Sequence, residues 1–373
     1  MASGFSFGFS GDDIDMDIED TETNDVGSGV EQDKAASNLP ELVRAQRHDM
    51  SDWLSTLPSQ ISYNKCTITP SQIEGSSAPV TVARRDVFDI RAQLMVEDSA
   101  EEQNGELIAG LEKGDITPNF YEGGFKTWEC SIDLGGLVVG AGNLEGGHVI
   151  ELGAGTAVPS LALFAQLLAK TESESAETKK TYFTLADYNS AVLRLVTLPN
   201  FLLTWNLYIT SLAPTPQTEG ENEAQKQGEE EGEEEGYLDI TPELLSRFTT
   251  DLSRRGITLS FISGAWSPSF VGLVFASPEL SSAKTLILAS ETIYSPASLA
   301  AFSGTLLELL RRSSGESEAL IAAKKVYFGV GGGIDEFLGV IRGMSGSELV
   351  VEERKDVKSE GVGRIILEVR VGK

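Results

Sequence analysis

The chain has 373 residues, with 40% hydrophobic and 23% charged residues, two cysteines, two histidines and a formal net charge of -28. That composition supports a sizeable core in one large domain with extensions, and so strong a negative charge disfavours binding to bare phosphate backbones. Cys66, Cys130, His48 and His148 lack metal-ligand spacing, which argues against a zinc site, and so few cysteines suit a reducing compartment.

Residues 1–45 read as a disordered acidic tail, in which ten acids up to Asp33 are opposed only by Lys34. Its start, Phe5-Ser6-Phe7-Gly8-Phe9 ahead of Asp12-Asp13, is either a docking motif or unselected tail. With no basic-then-apolar leader and no apolar run of ~18 residues, the expectation is a soluble protein of the cytoplasm or nucleus. Residues 46–120 read as an N-terminal extension. It has strands at 63–69 and 80–83, a third extended stretch at 86–96 and an acidic loop at 97–115.

From residue 121 the pattern alternates. Strand-like runs fall at 148–152, 182–186, 258–262, 285–289, 325–330, 349–353 and 364–371. Helical runs fall at 157–169, 191–198, 242–255, 298–312 and 335–341. Five strands alternating with helices predict an α/β, doubly wound, mostly parallel sheet. The last two strands are separated only by 354–363, so they are expected to form a reversed hairpin, giving seven strands in 121–373. Residues 206–240 interrupt the alternation and read as a disordered acidic insertion, with nine Glu against Lys226 between 214 and 236.

In such a sheet, ligands bind beyond the carboxyl ends of the strands. Strand 148–152 runs into Glu151-Leu152-Gly153-Ala154-Gly155-Thr156 and then a helix. The two glycines suit a tight turn and close backbone approach to a nucleoside cofactor. The third glycine of a dinucleotide fingerprint is replaced by Ala157, and no Lys-Ser/Thr follows to make a P-loop. Glu151 can accept from an ammonium group, which favours S-adenosylmethionine over a pyrophosphate. The next strand ends in Asp187-Tyr188-Asn189, an acid placed for ribose hydroxyls, although its distance from Gly153 exceeds the usual ~20 residues. Gly264-Ala265-Trp266 follows the third strand and suits an adenine edge and face. Ser290-Glu291-Thr292-Ile293-Tyr294 follows the fourth. Each has a structural alternative: Asp187 as a helix cap, Trp266 as a core or rim aromatic, Glu291 as a loop anchor. Gly329 to Gly333 reads as a tight strand-to-helix turn rather than a phosphate loop.

Ahead of the first strand, Gly123-Gly124-Phe125-Lys126-Thr127-Trp128-Glu129-Cys130 reads as a glycine turn into a helix. Together with Glu-Leu-Gly-Ala-Gly-Thr, Ala-Asp-Tyr-Asn, Ser-Gly-Ala-Trp-Ser, Ser-Glu-Thr-Ile-Tyr and Tyr-Phe-Gly-Val-Gly-Gly-Gly, in that order, it resembles the eukaryotic, fungal-type protein-histidine N-methyltransferases. The resemblance covers roughly 121–373 and extends weakly to the N-terminus. It implies a seven-stranded, Rossmann-like fold and methylation of a histidine ring nitrogen, the substrate being the third protein of the large ribosomal subunit. It also implies cofactor contacts at Thr127, Trp128, Glu129, Cys130, Gly153, Asp187, Tyr188, Asn189, Gly264, Ala265, Trp266 and Ser290. Glu151 and Gly155 join them from the residues themselves.

Glu291 is expected to accept the N–H of the substrate ring, and Tyr294 to pack against or hydrogen-bond that ring. A neutral imidazole needs no strong base, whereas a lysine amine must first lose its proton. The expected partner is a basic protein acted on by a monomer, without direct nucleic-acid or membrane contact. A related protein-lysine methyltransferase and a non-catalytic binding module for a ribosomal protein stand as alternatives.

Overall fold

The computed structural model describes residues 43–71, 78–97, 123–140, 146–170, 179–211, 235–327, 331–358 and 361–372. All of these fall in one compact unit, Leu42–Lys373. The acidic tail up to residue 42, residues 98–115 of the acidic loop, 329–330 of the Gly329 to Gly333 turn and the Glu-rich 212–234 lie outside the described residues.

The strands are β1 Gln46–His48, β2 Gln60–Ile68, β3 Val80–Arg85, β4 Gly147–Leu152, β5 Thr181–Asp187, β6 Glu235–Asp239, β7 Ile257–Ser263, β8 Lys284–Ser290, β9 Ser317–Lys324, β10 Leu349–Val357 and β11 Arg364–Val371. The main sheet has the order β1-β7-β5-β4-β8-β9-β11-β10. Its five central strands, β7 to β9, are parallel, and β11 and β10 close one side as the antiparallel hairpin expected from the short connection. The chain runs outward from β4 to β5 and β7, then returns to the other side of β4 as β8 and β9. The switch point therefore lies between β4 and β8, and ligands are expected beyond their carboxyl ends.

The alternation of strand side chains feeds two helix layers. Val149, Phe183, Leu185, Phe261 and Leu288 face one core with helices Glu129–Gly140, Val158–Ala169 and Ser190–Ser211. Ile150, Leu152, Ile262, Ile287 and Ile321 face the other, with helices Pro268–Val274, Pro296–Arg312 and Ile334–Ser345.

The structure corrects several expectations. The sheet has eight strands, because the extension contributes β1, which pairs antiparallel with β7 through Gln46↔Ser263, Arg47↔Ile262 and His48↔Phe261. Residues 86–96, expected to be extended, form the helix Val87–Glu97. Asp86 accepts the Phe88 amide at 2.7 Å, and Ile90 and Leu94, one helical turn apart, are both buried. The fifth parallel strand is Ser317–Lys324 rather than 325–330, where Val326 makes only an isolated bridge to Gly333.

The 206–240 stretch is ordered at both ends. Its first residues complete the helix Ser190–Ser211, and Glu235–Asp239 pairs with β2 in a second sheet, β3-β2-β6. That helix was expected to end at 198, where Pro199 interrupts it. Proline removes the donor that would reach Leu195 O, and the Arg85 guanidinium supplies one instead at 3.0 Å. A π turn at Leu193–Thr197 marks the same irregularity. By length and composition the helix could cross a membrane, but 72% of its apolar window is buried inside the protein, and it serves as a core helix.

Candidate functional site

The glycine turn after β4 is fixed from three directions. Gly153 (φ 67°) and Gly155 (φ 51°) occupy left-handed conformations, and a Cβ on Gly153 would stand 2.7 Å from Thr292 Cγ2. A Cβ on Gly155 would stand 3.2 Å from the Gly124 carbonyl. The Gly155 amide donates to Asp187 Oδ2 at 3.1 Å, and its carbonyl accepts from Thr197 Oγ1 at 2.6 Å. Thr127 Oγ1 reaches Thr156 Oγ1 at 3.2 Å. The turns after β4, β5 and β8, and the Gly123–Cys130 segment, thus interlock at the carboxyl end of the sheet.

Asp187 is not the helix cap. Asn189 caps the following helix by accepting from Ala191 N at 2.9 Å. Asp187 instead receives the Gly155 and Asn189 amides, one on each carboxylate oxygen. Its own carbonyl and that of Tyr188 receive the Gly264 amide. Gly264 (φ 111°) lies beneath the strap leading into β1, where a Cβ would meet Arg44 O at 2.7 Å and Ala45 Cα at 2.8 Å. Ala265 N donates to Val43 O at 2.9 Å. Trp266 is half-buried, with its ring edge-on to Phe270 and Phe302.

Glu151 is almost completely buried, at 1% exposure. One carboxylate oxygen accepts the Ser160 amide at 3.1 Å, and the other, Oε1, has no hydrogen-bond partner. Burial pushes its pKa up to about 8, opposed by Ser160 and reinforced by the Asp187 charge. A buried acceptor with a free oxygen, beside glycines whose missing side chains leave the backbone open, fits a ligand with a cationic amino group and a nucleoside body.

A second cluster sits after β8 and β9. Glu291 adopts φ 56°, a strained conformation for a residue with a side chain. Its Oε2 accepts from the Tyr327 hydroxyl at 2.6 Å, while Lys324 Nζ lies 3.8 Å from Oε1. That Oε1 is buried and makes no hydrogen bond. Lys324 Nζ also lies over the Trp128 ring, 5.2 Å from its centroid, and Trp128 Nε1 ties back to Gly123 O at 2.9 Å. Tyr294 meets Tyr327 edge-on at 6.3 Å. Burial, and then the Glu291 charge, raise both the Cys130 thiol and the Tyr327 phenol above their ordinary ranges. Cys130 is fully buried behind Glu291 and remains a neutral thiol. Glu129 points outward to Arg364, which also holds Asp133 of the same helix.

Most of the sequence-identified residues therefore stand at one end of the sheet, with Gly153, Gly155 and Asp187 near Glu151, Trp128 and Tyr294 near Glu291, and Ser290 half-buried at the end of β8, whereas the Trp266 ring packs on Phe270 and Phe302 and Glu129 turns outward to Arg364. Lys324 and Tyr327 were missed. Tyr327 opens the Tyr-Phe-Gly motif, the only sequence signal that singled it out.

No family model matches the chain. It is 32% identical to histidine protein methyltransferase 1 of Saccharomyces cerevisiae over 99% of both chains. It is 34% identical to the Schizosaccharomyces pombe protein of the same name, covering 90% of this chain and 84% of that one. Among solved structures, the N-methyltransferase NodS of Bradyrhizobium japonicum is 11% identical with a TM-score of 0.31, covering 66% of this chain and 96% of that one.

Proposed function

The chain belongs to the histidine protein methyltransferase 1 family and is an enzyme that methylates histidine with S-adenosylmethionine as donor; we propose that it acts on a basic protein of the large ribosomal subunit, and that Glu291 presents the substrate ring. The observation that carries the role of Glu291 is its buried Oε1, which makes no hydrogen bond and stands at the carboxyl end of β8, next to the switch point. The ribosomal partner rests on the family resemblance and on the net charge of -28, which attracts a basic substrate.

Bound S-adenosylmethionine supplies a methyl group already activated by its sulfonium, so the protein's task is alignment in a dry site. Glu151 Oε1 would receive the amino group of the cofactor, Asp187 its ribose, and Gly153 and Gly155 would let the backbone approach. Thr127 and Trp128 would border the methionine end, whereas Glu129 is directed away to Arg364. Tyr188, Asn189, Gly264, Ala265, Trp266 and Ser290 would border the nucleoside. Cys130 would act from behind, through its contact with Glu291.

A neutral imidazole has one N–H and one nitrogen lone pair. Glu291 Oε1, by accepting the N–H, turns the lone-pair nitrogen toward the methyl group. As that nitrogen forms its new bond, positive charge spreads over the ring, and the adjacent carboxylate stabilises it. The N–H becomes more acidic, and its proton lies against Glu291 Oε1. Tyr294 would pack against the ring.

Glu291→Gln tests this reading. The expected result is a loss of turnover of about a hundredfold or more, with S-adenosylhomocysteine binding by calorimetry retained. Full turnover in that variant would remove Glu291 from the mechanism.

A further inference from the structure

We propose that Tyr327 is a positioning residue for methyl transfer: its hydroxyl holds one oxygen of Glu291 so that only the other is available to the substrate ring. The inference rests on the reading of Glu291 given above and extends it to a residue that this reading does not use.

The Tyr327 hydroxyl donates to Glu291 Oε2 at 2.6 Å, within the range of charge-assisted O–H···O⁻ bonds. The same hydroxyl accepts the Lys324 amide at 3.2 Å, which fixes its direction and leaves its proton for Glu291. The tyrosine is half-buried and its phenol stays protonated, because burial and the neighbouring carboxylate both oppose ionisation. It therefore acts as a permanent donor.

The opposite side of Glu291 is organised differently. Lys324 Nζ stands 3.8 Å from Oε1, beyond hydrogen-bond distance, and is drawn toward the Trp128 ring. The ammonium stands beside the carboxylate without occupying its acceptor position. The Glu291 amide is tied to Ala322 O at 3.0 Å, so the β8 and β9 ends move together. Gly332 is also closely packed, since a Cβ there would overlap the Tyr294 carbonyl oxygen. A carboxylate free to rotate would present either oxygen and either ring orientation. One locked by Tyr327 presents a single acceptor in a single direction, and a fixed near-attack geometry of this kind lowers the barrier to transfer.

The two residues face each other, so a double-mutant cycle separates positioning from support of the fold. The substrate is protein extract from cells lacking the enzyme, the donor is labelled S-adenosylmethionine, and the readout is methylhistidine formed per enzyme. Tyr327→Phe is expected to lower the rate about tenfold to a hundredfold in the wild-type background, with S-adenosylhomocysteine affinity retained. In the Glu291→Gln background the same change is expected to cost little further, because the group it positions is already gone. Equal losses in both backgrounds would overturn the positioning role and assign Tyr327 to the fold, while leaving Glu291 as the ring acceptor. Full activity of Tyr327→Phe would overturn it too. Full activity of Glu291→Gln would remove the reading on which it rests.

Discussion

Glu151 shows how one side chain links pH to both stability and ligand binding. Its folded pKa of about 8 lies well above that of an exposed carboxylate, so the folded protein binds this proton more tightly than the unfolded chain. The stability due to that proton is complete below about pH 4.5 and is lost as pH rises through about 8. Glu151→Gln, which cannot ionise, is expected to gain melting temperature relative to wild type across that interval and little below it. A thermal series from pH 4 to pH 9 on both proteins checks this; parallel curves would contradict it. If Glu151 receives the cofactor's ammonium, wild type should also release a proton on binding S-adenosylhomocysteine near pH 7, and the Gln variant should not. Calorimetry in two buffers of different ionisation enthalpy reads that difference. The acids of the site were legible in sequence because each stands at a strand end, where a doubly wound sheet places its ligands. Tyr327 and Lys324 were not, because β9 was read too far along the chain. Its sequence, Ser-Glu-Ala-Leu-Ile-Ala-Ala-Lys, is buried along most of its length between two helix layers, so it lacks the polar alternation that marks a half-exposed strand.

At the scale of elements, the extension is built into the core beneath the site. Arg85, at the end of β3, is buried, and its guanidinium reaches Asp89, Gln93 and Leu195 O. The β3 backbone is joined to the long helix by Asn200 Oδ1, which accepts from Arg85 N at 2.7 Å, while Asn200 Nδ2 donates to Thr156 O at 3.0 Å in the glycine turn. Arg85→Met leaves the Leu195 carbonyl and Asp89 without their partner and is expected to cost about 3–5 kcal/mol of stability, read by urea denaturation. A cost below about 1 kcal/mol would show that the helix tolerates Pro199 unaided. The strap into β1 is a second such element. Gly264→Ala places a Cβ against Arg44 O and Ala45 in a strained backbone, so it should displace the strap and weaken S-adenosylhomocysteine binding. Unchanged affinity would separate the strap from the cofactor site. Neither β1 nor β6 was legible in sequence: each is short and is stabilised by pairing with a strand distant in the chain, which local pattern does not encode.

At the scale of the whole molecule, the parallel core and the reversed hairpin followed from the strand–helix alternation, and β2 and β3 from their own local pattern, while the eighth strand, β6 and the place of the switch point emerged only from tertiary pairing. The charge of -28 predicts association steered by a basic substrate. The apparent kcat/KM on that substrate should fall severalfold between about 50 and 300 mM salt, whereas S-adenosylhomocysteine affinity should change little. A rate indifferent to salt would contradict an electrostatically guided partner. The central claim, methyl transfer to histidine, is tested most directly by incubating the enzyme and labelled S-adenosylmethionine with extract from cells lacking it, then hydrolysing the labelled protein for amino-acid analysis. The account predicts methylhistidine in a basic protein of the large ribosomal subunit; label recovered as methyllysine would contradict it.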